Sequence, residues 1–198
     1  MDLKTIGVIG AGTMGRGIAC ASVVAGYRTV LEDVSPTMLE KGVAYIRKTL
    51  EEGVACRKLA PEQKEAALSN LSTAHKVEDV CRQADLLIAA LPEEMELQLE
   101  IFTIFDKFAK PDAILATAAS SLSITELTAI TFRAENCVGL RFDHPAPDAK
   151  LLEVIRTPET SDATIAACAE VARRMGKEVL EVRDLPGVIS GRISAIQE

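Results

Sequence analysis

Short apolar runs alternate with amphipathic stretches along most of the chain, and this alternation predicts its secondary structure. The run Ile6-Gly7-Val8-Ile9 leads into a glycine-rich turn and a helical pattern that ends at Gly26. A second apolar strand, Thr29-Val30-Leu31, stops at Glu32-Asp33. Ser35-Pro36 then supplies an N-cap and a first-turn proline for the next helix. These segments predict a β-α-β-α unit.

The same alternation continues through the rest of the chain. Pro61-Glu62-Gln63 opens a helix, the apolar run from Leu86 to Leu91 reads as a buried parallel strand, and helical spacing follows from Glu94. Further strands are predicted at 113–116, 138–142, 151–155 and 179–182, with a helix at about 162–175. This order indicates a Rossmann-type α/β fold, a doubly wound and mainly parallel sheet whose ligand crevice lies at the carboxyl ends of the strands.

Composition and charge narrow the range of partners. The 198 residues are 48% hydrophobic and carry a formal net charge of −7, which disfavours nucleic acid and anionic lipid surfaces. No apolar run reaches the roughly 18 residues of a membrane span, and the N-terminus lacks a signal-peptide pattern. The five cysteines show no metal-ligand spacing. We therefore expect a cytoplasmic protein with no metal site, no membrane contact and reduced, mostly buried cysteines.

The first strand-to-helix turn carries a dinucleotide-binding pattern. Gly10-Ala11-Gly12-Thr13-Met14-Gly15 fits GxGxxG, and Asp33 follows 21 residues after Gly12 at the end of the second strand. The glycines allow the tight turn, the approach of a pyrophosphate to the helix N-terminus and the close packing of helix on strand. A carboxylate at position 33 favours NAD over NADP because it repels a 2′-phosphate. The alternative for the glycine pattern is a strand-to-helix turn that binds no ligand. The alternative for Asp33 is a solvated acid in a loop.

Several further segments resemble the NAD-binding domain of the 3-hydroxyacyl-CoA dehydrogenase family, in its order and spacing. They comprise the glycine turn with the strand before it, Ala84-Asp85-Leu86-Leu87-Ile88, Leu91-Pro92-Glu93, Ser120-Ser121-Leu122-Ser123-Ile124, Leu152-Glu153-Val154-Ile155 and Asp184-Leu185-Pro186-Gly187. The resemblance implies oxidation of a 3-hydroxyacyl thioester by NAD. It also implies a cofactor site made of Gly10, Ala11, Gly12, Thr13, Met14, Gly15, Asp33, Pro92, Glu93, Gln98 and Ser120.

The catalytic positions that the resemblance implies are Ser120, Arg141, His144 and Glu153. The family's catalytic histidine lies in a Gly-Leu-His-Phe-Phe-Asn-Pro segment, where this chain has Arg141 in place of the histidine and His144 in place of the asparagine. Glu153 corresponds to the glutamate that orients the histidine. Arginine, whose guanidinium is a cation with no acceptor atom, cannot accept the hydroxyl proton. His144 is either a substitute proton acceptor or a solvated loop residue, and Arg141 is also able to form an ion pair with Glu153.

Other departures from the family lie near the reacting atoms. The family's Ser-Asn-Thr-Ser-Ser becomes Thr117-Ala118-Ala119-Ser120-Ser121, which loses two polar side chains and keeps Ser120. Ala89 replaces a glutamate, Gln98 a lysine and Gly191 an asparagine. Arg57-Lys58 is either a contact for the coenzyme A 3′-phosphate or a solvated pair. The expected organisation is an NAD-binding domain at 1–187 and the start of a truncated helical segment at 188–198. The resemblance implies a following helical domain that supports a homodimer in a full-length form, and we expect this chain to be either a fragment without that domain or a stand-alone nucleotide-binding module.

Two hypotheses follow for the function. The first is an NAD-dependent 3-hydroxyacyl-CoA dehydrogenase of the 3-hydroxybutyryl-CoA type, acting on an acyl-CoA-like substrate, weak or inactive as this chain. The second is a non-catalytic NAD-binding module. The motifs favour the first, and the substitution of the catalytic histidine favours the second.

Overall fold

Strands and helices alternate through residues 2–143 and 145–184, which are the part of the chain that the computed structural model describes. The strands are β1 Thr5–Ile9, β2 Arg28–Glu32, β3 Leu71–Ala74, β4 Leu86–Ala89, β5 Ile114–Thr117, β6 Cys137–Phe142, β7 Leu151–Arg156 and β8 Glu178–Arg183. The helices are α1 Thr13–Val24, α2 Pro36–Ala55, α3 Pro61–Ser69, α4 Val77–Cys81, α5 Met95–Phe108, α6 Ile124–Thr128 and α7 Asp162–Arg174. A short 3-10 turn, Ala134–Asn136, precedes β6.

The strands form one sheet in the order β3-β2-β1-β4-β5-β6-β7-β8. Every neighbouring pair is parallel except β6 and β7, which are antiparallel. The prediction of a doubly wound, mainly parallel sheet is therefore confirmed. The strand order reverses at β1, which has β2 on one side and β4 on the other, and such a switch point opens a crevice at the carboxyl ends of the strands.

The central strands are buried because helices cover both faces of the sheet. Every residue of β1, β4 and β5 is buried. Val8, Leu86 and Ile88 belong to the core on one face, whereas Ile9 and Leu87 belong to the core on the other. Successive side chains of a strand point to opposite faces, so a strand between two helical layers must be apolar throughout. This explains the continuous apolar runs in the sequence.

The boundaries of most helices and strands lie close to the positions that the local sequence patterns predict. Ser35 is the N-cap of α2 and accepts from the backbone N–H of Met38, as the Ser-Pro signal predicts. The helix predicted from Glu94 begins at Met95. Three short elements, β3, α4 and α6, were not predicted. β3 is an edge strand with no buried residue, so it lacks the apolar run that marks the central strands.

The expectation of mostly buried cysteines is confirmed. Cys20, Cys81, Cys137 and Cys168 are buried and Cys56 is exposed, and none of them forms a disulfide. None of the helices in the described residues combines the length and the apolar character that a membrane span requires.

Candidate functional site

The glycine turn between β1 and α1 is shaped by two close backbone approaches. Gly10 has φ of +98°, a left-handed conformation that favours glycine, and a Cβ there would lie 2.6 Å from the carbonyl oxygen of Ala90. A Cβ on Gly15 would lie only 1.8 Å from the carbonyl oxygen of Gly10. The turn is also fixed to the end of β2, because the Gly10 N–H donates to the backbone carbonyl of Glu32 at 2.8 Å. Side chains at positions 10 and 15 are therefore excluded by geometry.

Gly12 differs from these two glycines because the space beside it is open. A Cβ on Gly12 would meet no protein atom within 4 Å. Gly12 is the N-cap of α1, and no side chain caps this helix. The N–H groups of the first helical turn are therefore available to a ligand, and the helix dipole favours a negatively charged one. Open space beside uncapped N–H groups fits the pyrophosphate of a dinucleotide. Thr13 and Met14 continue this turn, Thr13 being exposed and Met14 half-buried.

Asp33 lies half-buried at the carboxyl end of β2, beside the glycine turn. Its Oδ2 accepts from the Ala11 N–H at 2.9 Å and its Oδ1 accepts from the Ser35 N–H at 2.9 Å. An ionised carboxylate has about four acceptor positions, so each oxygen keeps a position for another donor. Asp33 thus joins the glycine turn to the start of α2 and still has the capacity to accept from two ribose hydroxyls.

Glu32 precedes Asp33 but is 2% exposed. Its Oε1 is buried and makes no hydrogen bond within the described residues. Burial raises the pKa of the Glu32 carboxyl to about 7, and the neighbouring carboxylates of Asp33 and Glu78 raise it further. A carboxyl with a pKa near 7 therefore lies at the end of β2, on the residue whose backbone carbonyl binds Gly10.

Loops after β4 and β5 meet at the carboxyl edge of the sheet through Glu93. Its Oε1 accepts from the backbone N–H of Ser120 at 2.8 Å and from the Ser120 hydroxyl at 2.5 Å. Its Oε2 accepts from the backbone N–H of Ser121 at 3.1 Å and from the Ser121 hydroxyl. These hydrogen bonds hold the pKa of Glu93 below its usual value, against the opposing effect of burial. The Ser120 hydroxyl therefore has only its acceptor lone pairs left for another partner.

Gln98 lies behind these loops and not among the groups that face the crevice. It is 0% exposed. Its amide nitrogen donates to the Pro92 carbonyl at 3.4 Å, and its oxygen accepts from the Thr117 hydroxyl at 3.1 Å. Thr117 in turn accepts from the Ala119 N–H at 3.1 Å. This network supports the turn after β4 and the turn after β5. The sequence did not predict this role of Thr117, because Gln98, which accepts from its hydroxyl, lies 19 positions away.

Arg141 and Glu153 face each other across the antiparallel strands β6 and β7, in direct register. The Arg141 Nη1 lies 3.8 Å from the Glu153 Oε2, and the two side chains are 17% and 3% exposed. The ion pair that the sequence left open as an alternative is therefore present. An arginine held beside a buried carboxylate remains a cation at any physiological pH.

Some predicted residues lie outside the described part of the chain. His144, Gly191 and residues 185–187 are among them, as is the segment 188–198 that was expected to begin a helix. The neighbouring residues of His144 are described, and they place the loop 145–150 beside α1 at the carboxyl edge of β6.

Comparison with known proteins agrees with this geometry. Residues 5–185 match the family model described as 3-hydroxyacyl-CoA dehydrogenase, NAD binding domain. The chain is 40% identical over 191 residues to a 3-hydroxybutyryl-CoA dehydrogenase of Bradyrhizobium diazoefficiens, covering 96% of this chain and 65% of that protein. It is 36% identical over 193 residues to a probable 3-hydroxybutyryl-CoA dehydrogenase of Bacillus subtilis, covering 98% of this chain and 67% of that protein.

A solved structure shows the same fold over nearly the whole chain. The crystal structure of (S)-3-hydroxybutyryl-CoA dehydrogenase from Ralstonia eutropha superposes with a TM-score of 0.94 at 34% identity, covering 98% of this chain and 69% of that one. The chain spans about two thirds of the length of these relatives. It belongs to the 3-hydroxyacyl-CoA dehydrogenase family as its NAD-binding domain, with NAD as the cofactor.

Proposed function

We propose that this chain binds NAD(H) in preference to NADP(H) as a 3-hydroxyacyl-CoA dehydrogenase domain whose own oxidation of 3-hydroxyacyl thioesters is very weak or absent. The observation that carries the proposal is the ion pair between Arg141 and Glu153, 3.8 Å apart at the position where the family has its histidine–glutamate pair. The glycine turn and Asp33 retain the family's cofactor-binding pattern. Arg141, a cation, occupies the position of the family's proton acceptor.

The cofactor-binding half of the proposal rests on the residues at the carboxyl ends of β1 and β2. Gly12 would admit the pyrophosphate to the N–H groups of α1, Gly10 and Gly15 keep the turn closed, and Asp33 would accept from the adenosine ribose hydroxyls. When bound, NAD supplies the acceptor for the hydride. Pro92, Glu93 and Ser120 are proposed to line the half of the crevice beyond β4.

The catalytic half of the proposal follows from the lack of a group at position 141 that takes up the hydroxyl proton. Oxidation of a secondary alcohol releases the hydroxyl proton, which a neutral histidine is able to accept near pH 7. Arg141 is already protonated and has no acceptor atom. A missing general base typically lowers the rate by about 10² to 10⁴. Ser120 does not replace it, because the oxygen of a neutral hydroxyl is far too weak a base to take up a proton near pH 7, even though its lone pairs are free while its own proton is donated to Glu93.

The alternative is a non-catalytic NAD-binding module, and the arrangement behind the crevice favours it. Gln98 and Thr117 use their polar atoms to support backbone turns, and Ser120 is bound to Glu93. These groups hold loops in place within the protein. The two functions differ in turnover alone, so a rate measurement separates them.

The wider organisation is proposed from the family. The NAD-binding domain would end near residue 187, shortly after the family match ends at 185, and residues 188–198 would begin a helical segment. An acyl-CoA-like thioester is the proposed substrate class. A homodimer is proposed for a chain that carries the family's helical domain.

Asp33→Asn is expected to relax the discrimination between NADH and NADPH. The amide keeps an oxygen for one of the two backbone donors, so the turn is retained, but the charge that repels a 2′-phosphate is lost. Calorimetric titration should show the parent binding NADH at least tenfold more tightly than NADPH, a ratio that falls severalfold in the variant. Asp112→Asn, which removes an exposed acid elsewhere, should leave the ratio unchanged. Equal binding of both cofactors by the parent would overturn the assignment.

Oxidation of 3-hydroxybutyryl-CoA by the unaltered chain is expected to lie near the detection limit of an NADH absorbance assay. A triple variant, with Arg141→His, His144→Asn and Gly191→Asn, should be made in a chain that also carries the family's helical domain. It should oxidise 3-hydroxybutyryl-CoA at least tenfold faster than the parent. An imidazole at 141 would stand beside Glu153 in register, donate one N–H to it and present its other nitrogen to the substrate. Robust turnover by the unaltered chain would refute the proposal. A triple variant that binds NADH without any gain in rate would favour the binding module.

A further inference from the structure

Lys177 is a buried lysine that the proposed mechanism does not use. It follows Gly176, whose φ of +71° ends the turn after α7, and it is 4% exposed. Its ammonium donates to the carbonyl oxygens of Ala146 at 2.6 Å and Ala149 at 2.7 Å. Burial lowers the pKa of Lys177, while the carboxylates of Asp148 and Asp143 oppose this shift. A buried charge carries a large desolvation cost, which these two short hydrogen bonds offset in part.

Both acceptors belong to the loop that joins β6 to β7. The loop has no ladder of its own, and its only internal backbone hydrogen bonds in the described residues run from the Asp148 and Ala149 N–H groups to the Pro145 carbonyl, at 3.1 and 3.0 Å. Ala146 is nevertheless 2% exposed and belongs to the core. Lys177 therefore holds the loop from beneath, at two points.

The same loop rests on the helix that starts the cofactor site. A Cβ on Gly17, one turn into α1, would lie 3.1 Å from the Ala146 Cβ and 3.1 Å from the Pro147 Cδ. These contacts are close because Gly17 has no side chain. The loop is thus held between the Lys177 ammonium and the face of α1, and it follows β6 at the carboxyl edge of the sheet.

The two halves of a doubly wound sheet bind the two halves of a dinucleotide. The half that contains β1, β2 and β3 would take the adenosine part beside Asp33, and the half that contains β4, β5 and β6 would take the nicotinamide part. The loop follows β6, the last strand of the second half, and meets α1 at Gly17, past the N–H groups of the first helical turn. A displacement of this loop should therefore affect the nicotinamide part and leave the adenosine part unaffected.

We propose that Lys177 is a positioning residue that, by holding the loop of residues 145–149 against α1, shapes the nicotinamide half of the cofactor crevice. This inference rests on the proposed NAD(H) binding and adds a residue that acts on one half of the ligand. Lys177 touches no cofactor atom in this scheme. Its effect passes through the carbonyls of Ala146 and Ala149 and the contact of the loop with Gly17.

The test compares NADH with ADP-ribose, which lacks the nicotinamide part. Lys177→Met keeps an unbranched apolar side chain but lacks the ammonium, so the two buried carbonyls lose their donor. By calorimetry at a temperature where all variants are folded, its Kd for NADH should rise about tenfold, and its Kd for ADP-ribose should stay within twofold of the parent. Lys177→Arg, which restores donors and charge, should recover NADH binding to within threefold of the parent. Lys150→Met, which removes an exposed lysine of the same loop, is the matched control.

Gly17→Ala tests the same loop from the other side and keeps the ammonium. Alanine is the better helix former, so folding is retained, while its methyl group pushes on Ala146 and Pro147. The Kd for NADH should rise about threefold with ADP-ribose unchanged, and this result stands even if Lys177→Met fails to fold. Equal weakening of both ligands, or of neither, in the folded variants would overturn the inference while leaving NAD(H) binding intact. A parent that binds neither NADH nor ADP-ribose would overturn the proposed function and this inference together.

Discussion

Gly15→Ala is expected to destabilise the fold severely, by at least about 3 kcal/mol, the upper end of ordinary overpacking costs. The added Cβ would lie 1.8 Å from the Gly10 carbonyl oxygen, which is backbone and fixed by the neighbouring strands. The start of α1 would have to move away from the sheet to relieve this contact. NADH binding should fall more than a hundredfold because the N–H groups of the first helical turn move with it. Urea unfolding and an NADH fluorescence titration measure the two effects.

Gly12→Ala is the matched control for this prediction, since it makes the same chemical change three residues earlier. No protein atom lies within 4 Å of the added Cβ, and the φ of Gly12, −63°, suits alanine. The free energy of unfolding should change by less than about 1 kcal/mol, the usual cost of alanine at an N-cap. NADH affinity should still fall at least tenfold, because the methyl group takes the space that the pyrophosphate needs. A Gly15→Ala variant as stable as Gly12→Ala would contradict the close approach in the structure.

The buried carboxyl of Glu32 is expected to make the chain less stable as the pH rises from about 5 to about 7. Its pKa is raised from 4.5 to about 7 on folding. Below pH 4.5 the carboxyl is protonated in both states, so the stability is full. Between the two pKa values the unfolded chain loses the proton more readily, and the free energy of unfolding falls. At 1.36 kcal/mol per pKa unit, the total loss is about 3 kcal/mol above pH 7.

Glu32→Gln should remove this loss, because the amide does not ionise. The variant should therefore gain stability relative to the parent as the pH rises, with the largest difference at pH 8. Urea unfolding at a series of pH values from 5 to 8 measures it, and Glu51→Gln, which neutralises an exposed acid on α2, is the control. Parallel curves for the parent and Glu32→Gln would show that the carboxyl has its ordinary pKa in the folded chain.

Several features were predictable because they depend on neighbours in the chain. The glycine turn, the Ser35 cap and the apolar runs of β1, β4 and β5 are local patterns, and the structure has each of these elements where the pattern lies. Asp33 is likewise found beside the glycine turn, because a doubly wound sheet places the ends of β1 and β2 together. The edge strand β3 was not predicted, because a strand without buried residues has no periodic apolar pattern.

Contacts between distant segments were decided only by the tertiary structure. The sequence and the family resemblance left Arg141 and Glu153 as a candidate pair, and the antiparallel register of β6 and β7 brought them within 3.8 Å. Gln98, expected to face the cofactor, is turned inward to support the loops, and the Glu93–Ser120 contact joins residues that are 27 positions apart. The sequence determined which segments become strands and helices because hydrophobic periodicity is local. The hydrogen-bond partner of each polar side chain depends on how the strands assemble. A buried polar atom needs a hydrogen bond, and only the tertiary structure decides which segment lies within reach of it.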